Sequence, residues 1–163
     1  PRTGRDHSFF VLESPPWVNV IPLTAGEEVV LVRQYRHGTR DVTLEIPGGV
    51  VEEGDTPEGA ARRELRAETG WREERMTPLG FVLPNPAIQD NRCYTFLAEG
   101  VVPAGAQDQD DKEDIEVLLK PLRPIRNSSK IVEARPSGNT RGTRAKSFPV
   151  AEQCGKRRES PPE

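Results

Sequence analysis

Between Pro47 and Trp71 the chain spells out a turn and a helix with both ends marked, and this limits what the rest can become. Gly48, Gly49 and Gly54 admit backbone angles that other residues resist, and Pro47 closes the strand that leads into them. Thr56 is a good N-cap, Pro57 suits the first helical position, and Gly70 is placed to stop the helix. Ala60, Ala61, Leu65 and Trp71 give a modest apolar stripe, while arginines and glutamates take the other faces. Glu64 and Glu68 stand four residues apart, so one side of the helix carries both. Two carboxylates beside a glycine turn can hold a hard divalent cation, which in turn bridges protein to phosphate oxygens. Alternating glutamates and arginines also make an ordinary solvated face of weak ion pairs, and these two residues alone do not separate the readings.

Around this segment the pattern is mostly strand. His7 to Glu13 reads as one strand and Trp17 to Leu23 as a second, after the Pro15-Pro16 break. Glu28 to Tyr35 is the strongest, a continuous apolar run of the kind buried on both faces. Val42 to Ile46 leads into the glycines. Leu79 to Leu83 and Asn91 to Ala98 follow the helix, joined through a turn at Pro84-Asn85-Pro86-Ala87, and Ile115 to Leu119 is the last strand expected. Strands on either side of a central helix predict a mixed α/β domain.

Composition sets bounds on the class. In 163 residues there is room for one domain with a real core. No apolar run approaches the roughly 20 residues of a spanning helix, and no signal-peptide core opens the chain, so a cytoplasmic location is the expectation. Cys93 and Cys154 are too few for a disulfide framework or a zinc site, and Cys93 fits a buried strand position. A formal net charge of -3 gives no electrostatic case for a nucleic-acid binder. Charge is uneven, however. From Asn127 onward eight basic residues stand against four acidic ones, in a stretch rich in Ser, Gly, Thr and Pro without period. We read 1–126 as the folded domain and 127–163 as a basic tail, disordered or of atypical structure. Solvation accounts for such a tail, and an RNA-binding arm is the other reading.

The whole segment resembles the Nudix box: a glycine, five residues, an acid, seven residues, then Arg-Glu-hydrophobic-x-Glu-Glu-x-Gly-hydrophobic. Gly49, Asp55, Arg63, Glu64, Leu65, Glu68, Gly70 and Trp71 fall at the matching places. Asp55 replaces the usual glutamate, and Ala67 stands where the family carries the first of two adjacent glutamates, which removes one possible metal ligand. The resemblance implies an α/β/α sandwich with a mixed β-sheet. It also implies Mg²⁺ or Mn²⁺ held by Glu64, Glu68 and the Gly48 carbonyl. Arg63 would then hold acids such as Asp55 in place, with Gly49 as structural support beside them.

Two flanking stretches sharpen the likeness. Val32-Arg33-Gln34-Tyr35-Arg36 with Leu44-Glu45-Ile46-Pro47-Gly48-Gly49 is similar to the entry into the box in ADP-ribose pyrophosphatases and related nucleoside-diphosphate-sugar hydrolases. Pro86 to Arg92 with Phe96-Leu97-Ala98 resembles the same subgroup, although Asn91 replaces a common glutamate. By this resemblance Arg36 contacts a phosphate or the terminal ribose; a simple pairing with Glu45 is the alternative. Trp17 either stacks on the adenine or packs in the core or a dimer interface. In the acidic run Asp108 to Glu116, Glu113 is the candidate catalytic base, with Asp111 as the other choice and plain solvation as the bland one.

The implied function is metal-dependent hydrolysis of a diphosphate linkage, with Glu64, Glu68 and Glu113 as catalytic residues. ADP-ribose is favoured as substrate, giving AMP and ribose 5-phosphate, in a homodimer that shares its site across subunits. An oxidised nucleoside triphosphate, a dinucleoside polyphosphate or a capped RNA end are other substrates of the same chemistry. A nucleotide-binding sensor with little turnover is the competing class, prompted by Ala67 and by the atypical tail.

Overall fold

Strand β1 (Trp17–Leu23) organises the sheet of this computed structural model, which describes residues 2, 4–110 and 113–123. Its residues alternate in burial, with Val18, Val20 and Pro22 inward, as a half-buried strand requires. Along its whole length β1 pairs in parallel with β7 (Cys93–Glu99), Trp17 facing Cys93 and Leu23 facing Glu99. Its other edge is divided. Trp17 to Asn19 pair with β4 (Gly48–Val50), and Leu23 pairs with Val29 of β2 (Glu28–Arg36).

β2 carries the apolar run. Val29 to Val32 are buried, and β2 is flanked by β3 (Asp41–Glu45) and by β9 (Glu116–Pro121), both antiparallel. At the far side β6 (Arg75–Val82) pairs antiparallel with β7 and forms the sheet edge. A register shift falls between Pro78 and Gly80, where proline cannot donate to the ladder. A small second sheet joins β5 (Trp71–Arg72) to β8 (Val102–Pro103). Helix α1 (Pro57–Thr69) lays Ala60, Ala61 and Leu65 on Val18, Val20, Val30, Met76, Phe96, Ala98 and Val101. Leu65 is fully buried, which contributes about 1.5–3 kcal/mol. The result is α/β with a mixed sheet, and among the described residues α1 is the only helix in the element order. No helix among them is long and apolar enough to cross a membrane.

Several expectations need correction. His7 to Glu13 is not a strand. It makes one bridge, Leu12 to Gln89, and leaves Phe9, Phe10, Val11 and Leu12 exposed. Leu12 meets Ile88 and Gln89 and no strand pairs with the segment, so its apolar run has no sheet to bury against. Gly48 to Val50, read as a turn, is strand β4 on β1. β5 and β8, two residues each, were not expected. The tail 127–163 and Asp111 lie outside the described residues.

Candidate active site

The caps of α1 form as the sequence expects. Thr56 is extended at φ -86° and ψ 152°, and its hydroxyl accepts from the Gly59 amide at 3.0 Å. Gly70 ends the helix at φ 72°, a left-handed angle that favours glycine, and its amide donates to the Arg66 carbonyl. With Leu65 pinned in the core, Glu68 turns inward and is only 4% exposed. Its carboxylate accepts from the Gly48 amide at 2.9 Å. Burial pushes this carboxyl up to about 7; the Gly48 amide opposes the shift, and Glu64 and Glu113 add to it.

Glu64, one turn earlier, is handled differently. Arg63 Nη1 donates to it at 2.6 Å. Burial still raises its carboxyl above the ordinary value, against the pull of Arg63. The carboxylate lies against the Gly49 Cα: a Cβ there would stand 2.4 Å from the Glu64 carboxyl carbon. Gly48 is equally confined, since its Cβ would meet the Val18 carbonyl oxygen at 2.2 Å. Arg63 gathers the turn around this corner. It also reaches Asp55 at 3.4 Å, the Val50 carbonyl at 3.0 Å and Glu52 at 3.5 Å.

Glu113 sits on the loop before β9, where its carboxylate accepts from the Asp110 amide at 3.2 Å. Its charge reaches Glu64, Glu68 and Arg36, raising the pKa of each. Glu113, distant in sequence, therefore shares one electrostatic neighbourhood with Glu64 and Glu68.

Beside them opens a cavity of about 560 Å³. Trp17, Asn19, Arg36, Glu45, Gly48, Gly49 and Cys93 are among its walls. Arg36 faces Asp41 across the β2–β3 ladder, yet its guanidinium forks to Glu45, at 3.0 and 2.7 Å. Asp41 is occupied with the Val42 amide. The pair is mutual: the Arg36 hydrogen bond holds Glu45 below its usual range, and Glu45 holds Arg36 above its own. Trp17 and Cys93 are neighbours in register, and the thiol accepts a hydrogen bond from the Asn19 side-chain amide at 3.2 Å. Both expected substrate residues thus line one cavity, with Arg36 already paired to Glu45.

The donor set fits a hard divalent cation. Glu68 is a buried carboxylate whose one direct hydrogen-bond partner is an amide, Glu64 adjoins it, and Gly48 and Gly49 allow close backbone approach. Magnesium takes few carboxylates and keeps several waters. Among the described residues no three His, Cys, Asp or Glu side chains converge in a ready metal cluster, in keeping with alanine at position 67. Sequence reasoning missed Asn19, Glu52, Gln107 and Gln109. All four contacts depend on strand register or loop docking, which no local spacing reveals.

Comparison with known proteins agrees with the geometry. The family model described as NUDIX domain matches residues 14–129. An ADP-ribose pyrophosphatase of Bacillus subtilis (strain 168) is 31% identical over 126 residues, covering 77% of this chain and 66% of that protein. An ADP-sugar pyrophosphatase of Mus musculus is 44% identical over 84 residues, covering 49% of this chain and 38% of that one. The chain thus spans less than two thirds of the length of these curated relatives. A crystal structure of an ADP compounds hydrolase has the same fold, with a TM-score of 0.62 at 23% identity, covering 71% of this chain and 60% of that one. By family match, fold and the residues of its turn and helix, this chain belongs to the Nudix family.

Proposed function

We propose that the chain hydrolyses the diphosphate linkage of a nucleoside diphosphate joined to a sugar, ADP-ribose before others, releasing AMP and ribose 5-phosphate. One observation carries this reading. Trp17 and Arg36 line the same cavity as Gly48 and Gly49, and Glu68 and Glu64 contact those glycines directly. The names of the relatives point to the same class of substrate.

A diphosphate repels an incoming nucleophile because its oxygens are already anionic. Mg²⁺ or Mn²⁺, held by Glu64, Glu68 and the Gly48 carbonyl, would offset that charge and acidify water. The protein does the rest. Trp17 offers a face for the base, and Arg36 a charged fork for a phosphate. Arg63 keeps Glu64 in place through the contacts described above. Glu113 takes the proton of the attacking water, a contribution of about 10²–10⁴-fold. Water adds across the P–O–P bridge, and each product leaves as a phosphate monoester.

We propose further that the protein works as a homodimer. Edge strand β6 and the turn after it leave Leu79, Phe81, Val82 and Leu83 about half exposed, and Phe9 and Phe10 more so. Apolar residues grouped in this way favour a covering partner. Light scattering at twice the monomer mass is the expected result.

The sensor reading draws on Ala67 and on the lack of a three-ligand cluster among the described residues. One assay separates the two. The protein is incubated with ADP-ribose and Mg²⁺ or Mn²⁺, and AMP is measured. Hydrolysis predicts AMP and ribose 5-phosphate in equal amounts; saturable binding without AMP would make the chain a sensor.

A further inference from the structure

The stretch from Ala104 to Asp108 is fastened to the end of α1. The Ala104 and Gly105 amides donate to the Gly70 carbonyl at 2.8 and 3.1 Å, and the Asp108 amide to the Ala67 carbonyl at 2.9 Å. These carbonyls are among those a helix end leaves without partners of its own. Gly70 permits the approach, since a Cβ there would stand 2.4 Å from the Gly105 carbonyl oxygen.

Two carboxamides complete the attachment. Gln107 Nε2 bears two hydrogens and donates to two backbone carbonyls, those of Glu68 and Ile115. Gln109 takes both polar backbone atoms of Ile115. Its Nε2 donates to the carbonyl at 3.0 Å, and its Oε1 accepts from the amide at 3.1 Å. Ile115 is buried and lies two residues after Glu113. β9 begins only at Glu116, so its ladder on β2 leaves the path of Glu113 to other contacts.

We propose that Gln107 is a positioning residue: it ties the backbone of Glu68 to that of Ile115, and so sets where the Glu113 carboxylate stands relative to Glu64 and Glu68. Gln109 is the second half of the same clamp. The proposal rests on the assignment of Glu113 as base in the hydrolysis described above. The chemistry needs two uncharged donors at this reach. A methionine fills the same volume and supplies none.

The test is a double-mutant cycle in the full chain, with ADP-ribose and Mg²⁺. Gln107→Met should lower kcat about 10–100-fold, the scale on which small misplacements of a reacting group act. KM should stay within about threefold. In a Glu113→Gln background the same substitution should cost nothing more, because its route of action is gone. An unchanged kcat, or losses that multiply, would overturn the proposal. Amide exchange reads the clamp without turnover. Asp108 and Ile115 should lose protection in Gln107→Met while β2 and β7 keep theirs, and unchanged protection refutes the clamp. Should Gln107→Met fail to fold, Gln109→Met carries the same cycle. If the wild-type protein releases no AMP, the substrate reading falls, and exchange alone decides the clamp.

Discussion

In the first half of α1 the acids are met by arginines; in its last turn Glu68 is met by a backbone amide. Glu58 pairs with Arg62 at 2.9 Å, and Arg63 is shared among Glu52, Asp55 and Glu64. Glu52, Asp55 and Glu58 are well exposed, where ion pairs contribute little, whereas Glu64 is mostly buried. Glu68 is buried, accepts from Gly48, and is pushed up to about 7. A paired acid at the surface is part of the scaffold. Glu68, buried and without a guanidinium, is the acid to which the proposed function assigns the cation.

The substitution that should break this contrast most sharply is Glu68→Gln. Glutamine keeps an acceptor for the Gly48 amide but carries no charge, so folding should survive. AMP release from ADP-ribose should fall by about 10²–10⁴-fold, the range set by loss of one essential catalytic group. A rate within threefold of wild type would remove Glu68 from the site.

Gly49→Ala tests the other acid. The nearest atoms to the added methyl are the end of the Glu64 side chain, which can swing aside, so the chain should fold while its carboxylate is displaced. A loss of about 10–100-fold in kcat is expected, measured beside an unchanged circular dichroism spectrum. Full activity would show that the position of Glu64 is unimportant.

Acidity distinguishes the halves in a third way. Glu68 titrates near 7 in the folded chain against an ordinary 4.5. Between those values the folded state keeps a proton that the unfolded state has lost. This stabilisation is therefore complete below about 4.5 and disappears as pH rises through 7, by on the order of 3 kcal/mol. In chelator-treated protein the melting temperature should rise as pH falls from 8 to 6, and Glu68→Gln should flatten most of that slope. A slope kept in full by the variant would contradict the assignment. The smallest effect belongs to the surface pair. Glu58→Ala should cost no more than about 0.5 kcal/mol in urea unfolding, and a larger loss would mean that the first half is not mere scaffold.

The sequence told much about α1 and less about its surroundings. Thr56, Pro57 and Gly70 act through neighbours three or four residues away, so the helix was readable with its ends. β1 and the apolar run of β2 were equally plain. His7 to Glu13 had the β-favouring residues of a strand but no sheet waiting for it, and strandness is decided by a partner. β4 was hidden for the opposite reason: glycines that look like a turn are extended because β1 lies beside them. At the site, Glu64 and Glu68 followed from helical spacing. The pairing of Arg36 with Glu45 was one of the two readings its sequence position offered, whereas the docking of Gln107 follows from a loop folding back, which one-dimensional spacing does not carry.

The parallel ladder between Trp17–Leu23 and Cys93–Glu99 has a consequence for how the molecule comes into being. The two cavity walls it joins are separated by most of the domain, and β2 likewise waits for β9. Such distant closures are slow to form. A nascent chain halted after Leu83 would own the complete turn, both acids and the arginine, yet lack β7 and β9, the partners of β1 and β2. The proposed site is whole only once the sheet has closed.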